Sequence, residues 1–142
     1  MSSLSDAFRL QRFLDAQAGV YGAVVAELRA GQKRTHWMWF VFPQIAGLGL
    51  SPTSVFYAIG SMDEARAYAV HPTLGARLSE CAGLVLSVDG RTALQIFGGV
   101  DARKFQSSMT LFAEARPEER VFAACLEKYY AGERDKATLE RI

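Results

Sequence analysis

Apolar residues recur along this chain at helical spacing almost from the start. Leu10, Phe13, Leu14 and Gln17 form one stripe, and Val20, Tyr21, Val24, Val25 and Leu28 form a second. Asp6 is placed to cap the first helix, Gly19 to break between the two, and Gly31 to stop the second. Thr35 to Ala46 is the densest apolar run. With helical neighbours and no partner strand it reads as a short buried helix, ended by Pro43, which pushes Phe42 out of the α region. Gly47-Leu48-Gly49 then reads as a loop.

Ser51-Pro52 has the form of an N-cap followed by a first helical residue, opening a short helix towards Tyr57. Ser61 to Glu64 has the capping-box spacing and opens a helix through Tyr68. His71-Pro72 opens another, with Leu74, Leu78, Cys81 and Val85 on one face. After a turn at Ser87–Gly90, Thr92 caps a short helix holding Leu94, Ile96 and Phe97. Gly98-Gly99 breaks it, and Asp101 is expected to cap the next, striped by Phe105, Met109 and Phe112. Pro117 is expected to start the last long helix, striped by Phe122, Cys125, Leu126 and Tyr129 and stopped by Gly132, with a final helical turn between Asp135 and Ile142. No run alternates at period two. The pattern predicts an all-α fold: a single compact multihelical domain over residues 1–142, with about seven to nine helices, several of them short.

Composition narrows the function classes. Half of the 142 residues are hydrophobic and 22% are charged, the balance of a globular chain rather than a disordered one. Sixteen basic against fifteen acidic residues leave a net charge of +1, so no broad nucleic-acid footprint is expected. The apolar runs are shorter than the ~18 residues of a membrane span, and no membrane partner is expected. Met1 to Asp6 lacks a basic leader and an apolar stretch, so it does not read as a signal peptide. Cys81 and Cys125 both lie on apolar stripes and read as buried free thiols in a reducing, cytoplasmic setting, with a disulfide as the alternative. His36 and His71 are the only histidines, and neither has HExxH, CxxC or HxE spacing, so no metal site is expected. No phosphate-loop, dinucleotide or nucleophile-elbow motif occurs, and no cofactor is expected.

Candidate chemistry lies in polar residues set among apolar ones, because an unpaired buried polar group costs roughly 1–3 kcal/mol and calls for a partner or a ligand. Gln17 occupies a slot where Leu10 and Leu14 predict an apolar side chain; a helix-end amide paired with backbone and an amide aimed at a ligand both fit. Lys33 to Gln44 packs His36, Trp37, Trp39 and Gln44 among further rings, which suits either a cleft for a flat ring or an ordinary aromatic core. Asp101 to Thr110 places Lys104 one helical turn from Asp101 on one side and from Ser108 on the other, with Ser107 beside them. A Lys104–Ser108 pair could activate a hydroxyl, hold an anion, or form a solvated face, and the serines could bond back to carbonyls one turn earlier.

The segment His36-Trp37-Met38-Trp39-Phe40-Val41-Phe42-Pro43-Gln44 resembles the DUF1810 family, common in bacterial genomes under the label "calpastatin". The likeness continues at Leu10–Gln17, Glu27–Gly31, Tyr57-Ala58-Ile59, His71–Gly75, Ile96-Phe97-Gly98 and Asp101, Lys104 and Ser107–Phe112, across nearly the whole chain. It implies an all-helical domain and no activity, since the family is named for lacking one. A fainter likeness to the NADAR domains, associated with ADP-ribose and N-glycosidic chemistry, rests on Ala16-Gln17 and Lys104-Phe105, and no role is carried over from it.

Two functional readings follow. In the first, the His36–Gln44 segment meets the helix beginning near Asp101 to form a small-molecule site, nucleotide- or sugar-phosphate-like in its ligand, with or without catalysis. Gln17, Lys33, His36, Trp37, Trp39, Gln44, Asp101, Lys104, Ser107 and Ser108 are its residues, and Asp15 or Asp101 the acid–base candidates. In the second, Ile45 to Leu50 and the aromatics dock a protein partner or a second copy, without chemistry. A third reading pairs the polar residues with one another to fix the core. Neither a catalytic residue nor an oligomeric state is assigned by the sequence.

Overall fold

The computed structural model describes residues 6–142; the leader reading made on Met1–Ser5 lies outside them. Among the described residues there are ten helices, one more than the upper expectation, and no strand. They are α1 (Gln11–Gln17), α2 (Tyr21–Arg29), α3 (Met38–Val41), α4 (Pro52–Tyr57), α5 (Met62–Val70), α6 (Leu74–Leu86), α7 (Ala93–Phe97), α8 (Gly99–Ala115), α9 (Val121–Tyr130) and α10 (Lys136–Leu139). The extra element is α10, a four-residue helix where only a final helical turn was expected; α3 is equally short.

Helix α8 is the axis of the fold. Ten of its residues are buried, including the unbroken run Ser107–Ala113, so its second half is enclosed on all sides, as a central helix must be. Helices α5, α7, α9 and α10 pack against it, and α6 closes the layer by packing on α5, α9 and α2. Aromatic rings tie these elements together. Phe13 meets Tyr68 edge-on at 5.0 Å, Tyr68 meets Phe112 at 5.4 Å and Phe112 meets Phe122 at 5.9 Å. A second line runs from Trp37 through Phe42 to Phe105, which stacks on Phe97 at 4.8 Å. The turn between α5 and α6 is tight enough that a Cβ on Gly75 would lie 2.1 Å from the Ala69 carbonyl oxygen, so only glycine fits there.

Most of the expected punctuation is present. Ser51, Ser61 and Thr92 accept the N–H three residues on, and His71 Nδ1 accepts those of Thr73 and Leu74. Gly19, Gly31 and Gly132 turn the chain at positive φ. Four expectations need correction. Asp6 caps from further upstream, its carboxylate accepting from Leu10 and Gln11, because a turn at Arg9 intervenes. Glu64 does not complete a capping box: it accepts from Gly60, and its other oxygen holds Arg12. Asp101 is not the cap of α8, which starts at Gly99 with Gly98 at φ 82°; the carboxylate lies inside the first turn and reaches sideways to Lys33. Pro117 begins a turn rather than a helix, and α9 starts four residues later at Val121.

Cys81 and Cys125 are both buried and free. Burial pushes the Cys81 thiol up to about 11, against a lowering hydrogen bond with Tyr21, and the Cys125 thiol up to about 12, so neither supplies a thiolate near neutral pH. No helix among the described residues is long and apolar enough to cross a membrane.

Candidate active or binding cleft

A cleft of about 520 Å³ opens between three stretches of chain. The α3–α4 segment supplies Gln44, Leu48, Gly49 and Ser54; α8 supplies Val100, Arg103, Lys104 and Ser107; the start of α10 supplies Asp135 and Ala137.

Each wall is fixed by local bonding. Ile45 and Ile59 form an isolated parallel backbone bridge, Ile59 N–H donating to the Gln44 carbonyl at 2.9 Å and Ala46 N–H to the Ile59 carbonyl at 2.8 Å. The bridge holds Gln44 half-buried at the mouth, and its side-chain amide meets no partner among the described residues. On the far wall, Asp135 N–H donates to Thr110 Oγ1 at 2.9 Å, and Gln106 Nε2 donates to the Glu133 carbonyl at 2.9 Å, pinning the α9–α10 connection onto α8. Asp135 Oδ2 then caps α10, accepting from Thr138 N–H at 3.1 Å, Thr138 Oγ1 at 2.5 Å and Ser107 Oγ at 3.0 Å.

Beside the cleft runs a ladder of cations and rings. Lys33 Nζ lies 5.1 Å from the Trp37 ring centre, 2.9 Å from Asp101 Oδ2 and 2.6 Å from the Thr35 carbonyl. Lys104 Nζ lies 3.9 Å from the other Asp101 oxygen and 4.6 Å from the Trp39 ring centre. Asp101 is thereby shared between two ammonium groups, and Lys104 is set at the cleft wall. Trp37 is buried, with its indole N–H donating to Glu27 Oε1 at 2.9 Å. Burial raises the Glu27 carboxyl, but hydrogen bonds from Thr35, Arg34 and Trp37 outweigh it and hold the group at about 2.

Of the ten residues singled out from sequence, three line the cleft: Gln44, Lys104 and Ser107. Lys33, Trp37, Trp39 and Asp101 stand behind Lys104 in the ladder. Three lie elsewhere. His36 is exposed and lines no wall. Gln17 is buried in another network, its amide donating to the Phe40 carbonyl at 2.8 Å and to Tyr68 Oη at 3.3 Å while Arg77 donates to its oxygen at 3.1 Å. Ser108 is fully buried with no partner for its hydroxyl, so it does not form a working pair with Lys104. Asp15 is exposed and bonded to Gln11. Ser107 and Thr110 do bond back to carbonyls one turn earlier, at 3.1 and 2.8 Å.

Sequence reasoning missed Arg103, Asp135 and Ser54. Arg103 had a signal, a second cation next to Lys104; Asp135 was read only as the start of a terminal turn, and its place opposite Ser107 depends on tertiary packing.

A model of the family described as "Protein of unknown function (DUF1810)" matches residues 7–142. The chain belongs to the DUF1810 family. No curated protein matches this DUF1810 chain. It is similar to the conserved hypothetical protein Rv1873 from Mycobacterium tuberculosis, known from a crystal structure, at 56% identity over 94% of this chain and 95% of that one, with a TM-score of 0.93. The helical fold expected from the resemblance is therefore that of a solved relative, and the DUF1810 description attaches no reaction to the cleft.

Proposed function

We propose that the cleft binds a small ligand carrying an anionic group. One observation carries the reading: Gln44, from the α3–α4 segment, and the neighbouring Arg103 and Lys104, from α8, line one hollow of about 520 Å³, inside the size range of small-molecule sites. Among the described residues the Gln44 amide and the Arg103 guanidinium form no hydrogen bond or ion pair, so both have donors to give. The reading is one of binding, and no residue is given a bond-making role.

A thermal-shift series with nucleotides and sugar phosphates tests it. A ligand that binds the folded chain raises the melt by mass action, and Lys104→Ala combined with Gln44→Ala removes that rise. If no probe moves the melt and the double variant gives the same profile as the parent, the reading fails.

A second reading has its own observation. Leu50, Val55 and Phe56 are 88%, 61% and 46% exposed, beside a shallower hollow of about 450 Å³ lined by Trp39, Phe40, Pro52, Thr53, Phe56 and Tyr57. An apolar surface of this kind favours docking of a second copy. Sedimentation at rising concentration checks this: association that Phe56→Glu abolishes supports docking, and a strict monomer removes it.

A further inference from the structure

Resting on the binding reading above, we infer that the cleft selects a phosphate ester that also carries hydroxyl groups, with the phosphate at Arg103 and Lys104 and a hydroxyl donating to Asp135 Oδ1. Asp135 Oδ2 already faces three donors, from Ser107, Thr138 N–H and the Thr138 hydroxyl. Oδ1 meets none among the described residues, although the residue lines the cleft. A carboxylate only accepts. The single Ser107 hydrogen lies within reach of the Arg103 carbonyl at 3.1 Å and Asp135 Oδ2 at 3.0 Å, so it is engaged inside the protein and the Ser107 oxygen keeps only acceptor capacity. This end of the cleft therefore offers a ligand acceptors only.

One helical turn nearer the start of α8, about 5 Å along the axis, the requirement reverses. Arg103 and Lys104 are donors only and carry positive charge. A bare anion satisfies the cations but leaves Asp135 Oδ1 without a donor. A ligand ammonium satisfies Asp135 but sits a turn away from two cations. A phosphate with a hydroxyl a few carbons away meets both conditions.

Calorimetric titration of the full chain at fixed ionic strength tests the assignment with inorganic phosphate, phosphoethanolamine, ribose, ribose 5-phosphate and AMP. Ribose 5-phosphate or AMP is expected to bind about tenfold or more tightly than inorganic phosphate, the effect of one hydrogen bond to a charged group. Whichever of the two binds tighter identifies the source of the hydroxylated phosphate. Asp135→Asn and Asp135→Ser both keep an oxygen that caps α10, so both variants should fold, which their melts check. Both are expected to bring the preference down to within about twofold while inorganic phosphate binding persists, and Arg103→Ala to weaken every phosphate probe. Equal binding of inorganic phosphate and the hydroxylated esters, a preference for phosphoethanolamine, or Asp135 variants that keep the full preference would overturn the inference and leave the anion-binding cleft standing. Failure of every probe to bind would overturn both.

Discussion

Helices α1 and α8 both carry polar side chains where the core claims the surface, and they settle them in opposite ways. On α1, Arg12 spends all five of its N–H groups: on the carbonyls of Phe8, Arg9, Phe56 and Ala58 and on Glu64 at 2.8 Å. Gln17, one and a half turns on, is likewise bonded through both its amide nitrogen and its oxygen. On α8, Ser108 is buried without a partner, Arg103 is exposed at the cleft and meets no acceptor among the described residues, and across the cleft Asp135 keeps one oxygen uncommitted. A polar residue inside an apolar stripe is thus no sign of a ligand until its donors and acceptors have been counted. Where the count closes, the residue fixes packing; where it stays open beside a hollow, it is available for binding.

The contrast breaks most visibly at Glu64. Glu64→Ala leaves the Arg12 guanidinium, only 7% exposed, without its counter-charge, and is expected to cost about 3–5 kcal/mol in denaturant unfolding. Replacing the pair together, Arg12→Met with Glu64→Leu, should recover much of that loss, because the cost lies in the stranded charge rather than in the absence of the bridge. Equal losses for the single and double variants would mean that Arg12 acts mainly through its four carbonyls.

Gln17→Leu comes next. It removes the amide from the Phe40 carbonyl and the acceptor from Arg77, and is expected to cost about 1–3 kcal/mol. Tyr68 still reaches the Phe40 carbonyl at 3.4 Å, and Arg77 keeps its place over the Tyr21 ring at 4.6 Å, which places the effect below that of Glu64. A neutral result would put Gln17 with the uncommitted residues and blur the comparison.

These two residues also show what was legible beforehand. The apolar stripes gave the helical class, and capping chemistry at Ser51, Ser61, His71 and Thr92 placed four helix starts, because those signals act within three or four residues. Gln17 stood out as a polar residue in an apolar slot, yet its partners Tyr68 and Arg77 lie more than fifty positions away. Spacing along a chain cannot say whether such a group meets another side chain or a hollow. For the same reason Lys104 and Ser107 were found and Asp135 was not: the first two share a helix, whereas Asp135 reaches them only through the fold of α9 and α10.

Glu27 sharpens the comparison from a different side, as a carboxylate whose acceptors are filled by its neighbours. Its folded value of about 2 lies below the ordinary 4.5, so between those values the unfolded chain binds the proton more readily. The stability it confers is complete above the ordinary value and drains as pH falls from 4.5 to about 2. Because the group is only half-buried, the effect is modest and weakens with salt. Acid unfolding of the parent against Glu27→Gln is the measurement. The variant should lack this part of the acid slope, and identical slopes would show that the donors from Thr35 and Trp37 do not bind the charged form preferentially.

The smallest expected effect on stability is at the cleft itself. Arg103→Ala and Gln44→Ala remove side chains that bond to nothing among the described residues, so each should change the unfolding free energy without ligand by no more than ~0.5 kcal/mol. That near-zero result separates α1 from the cleft: a glutamine amide costs about 1–3 kcal/mol where its bonds close inside the core and almost nothing where it borders the hollow. It also makes the cleft variants clean probes, because a lost ligand response then reports on binding and not on folding. A loss of ~2 kcal/mol from either variant in the absence of ligand would mean that the side chain is already committed inside the protein, and the donors assigned to the anion would have to be found elsewhere.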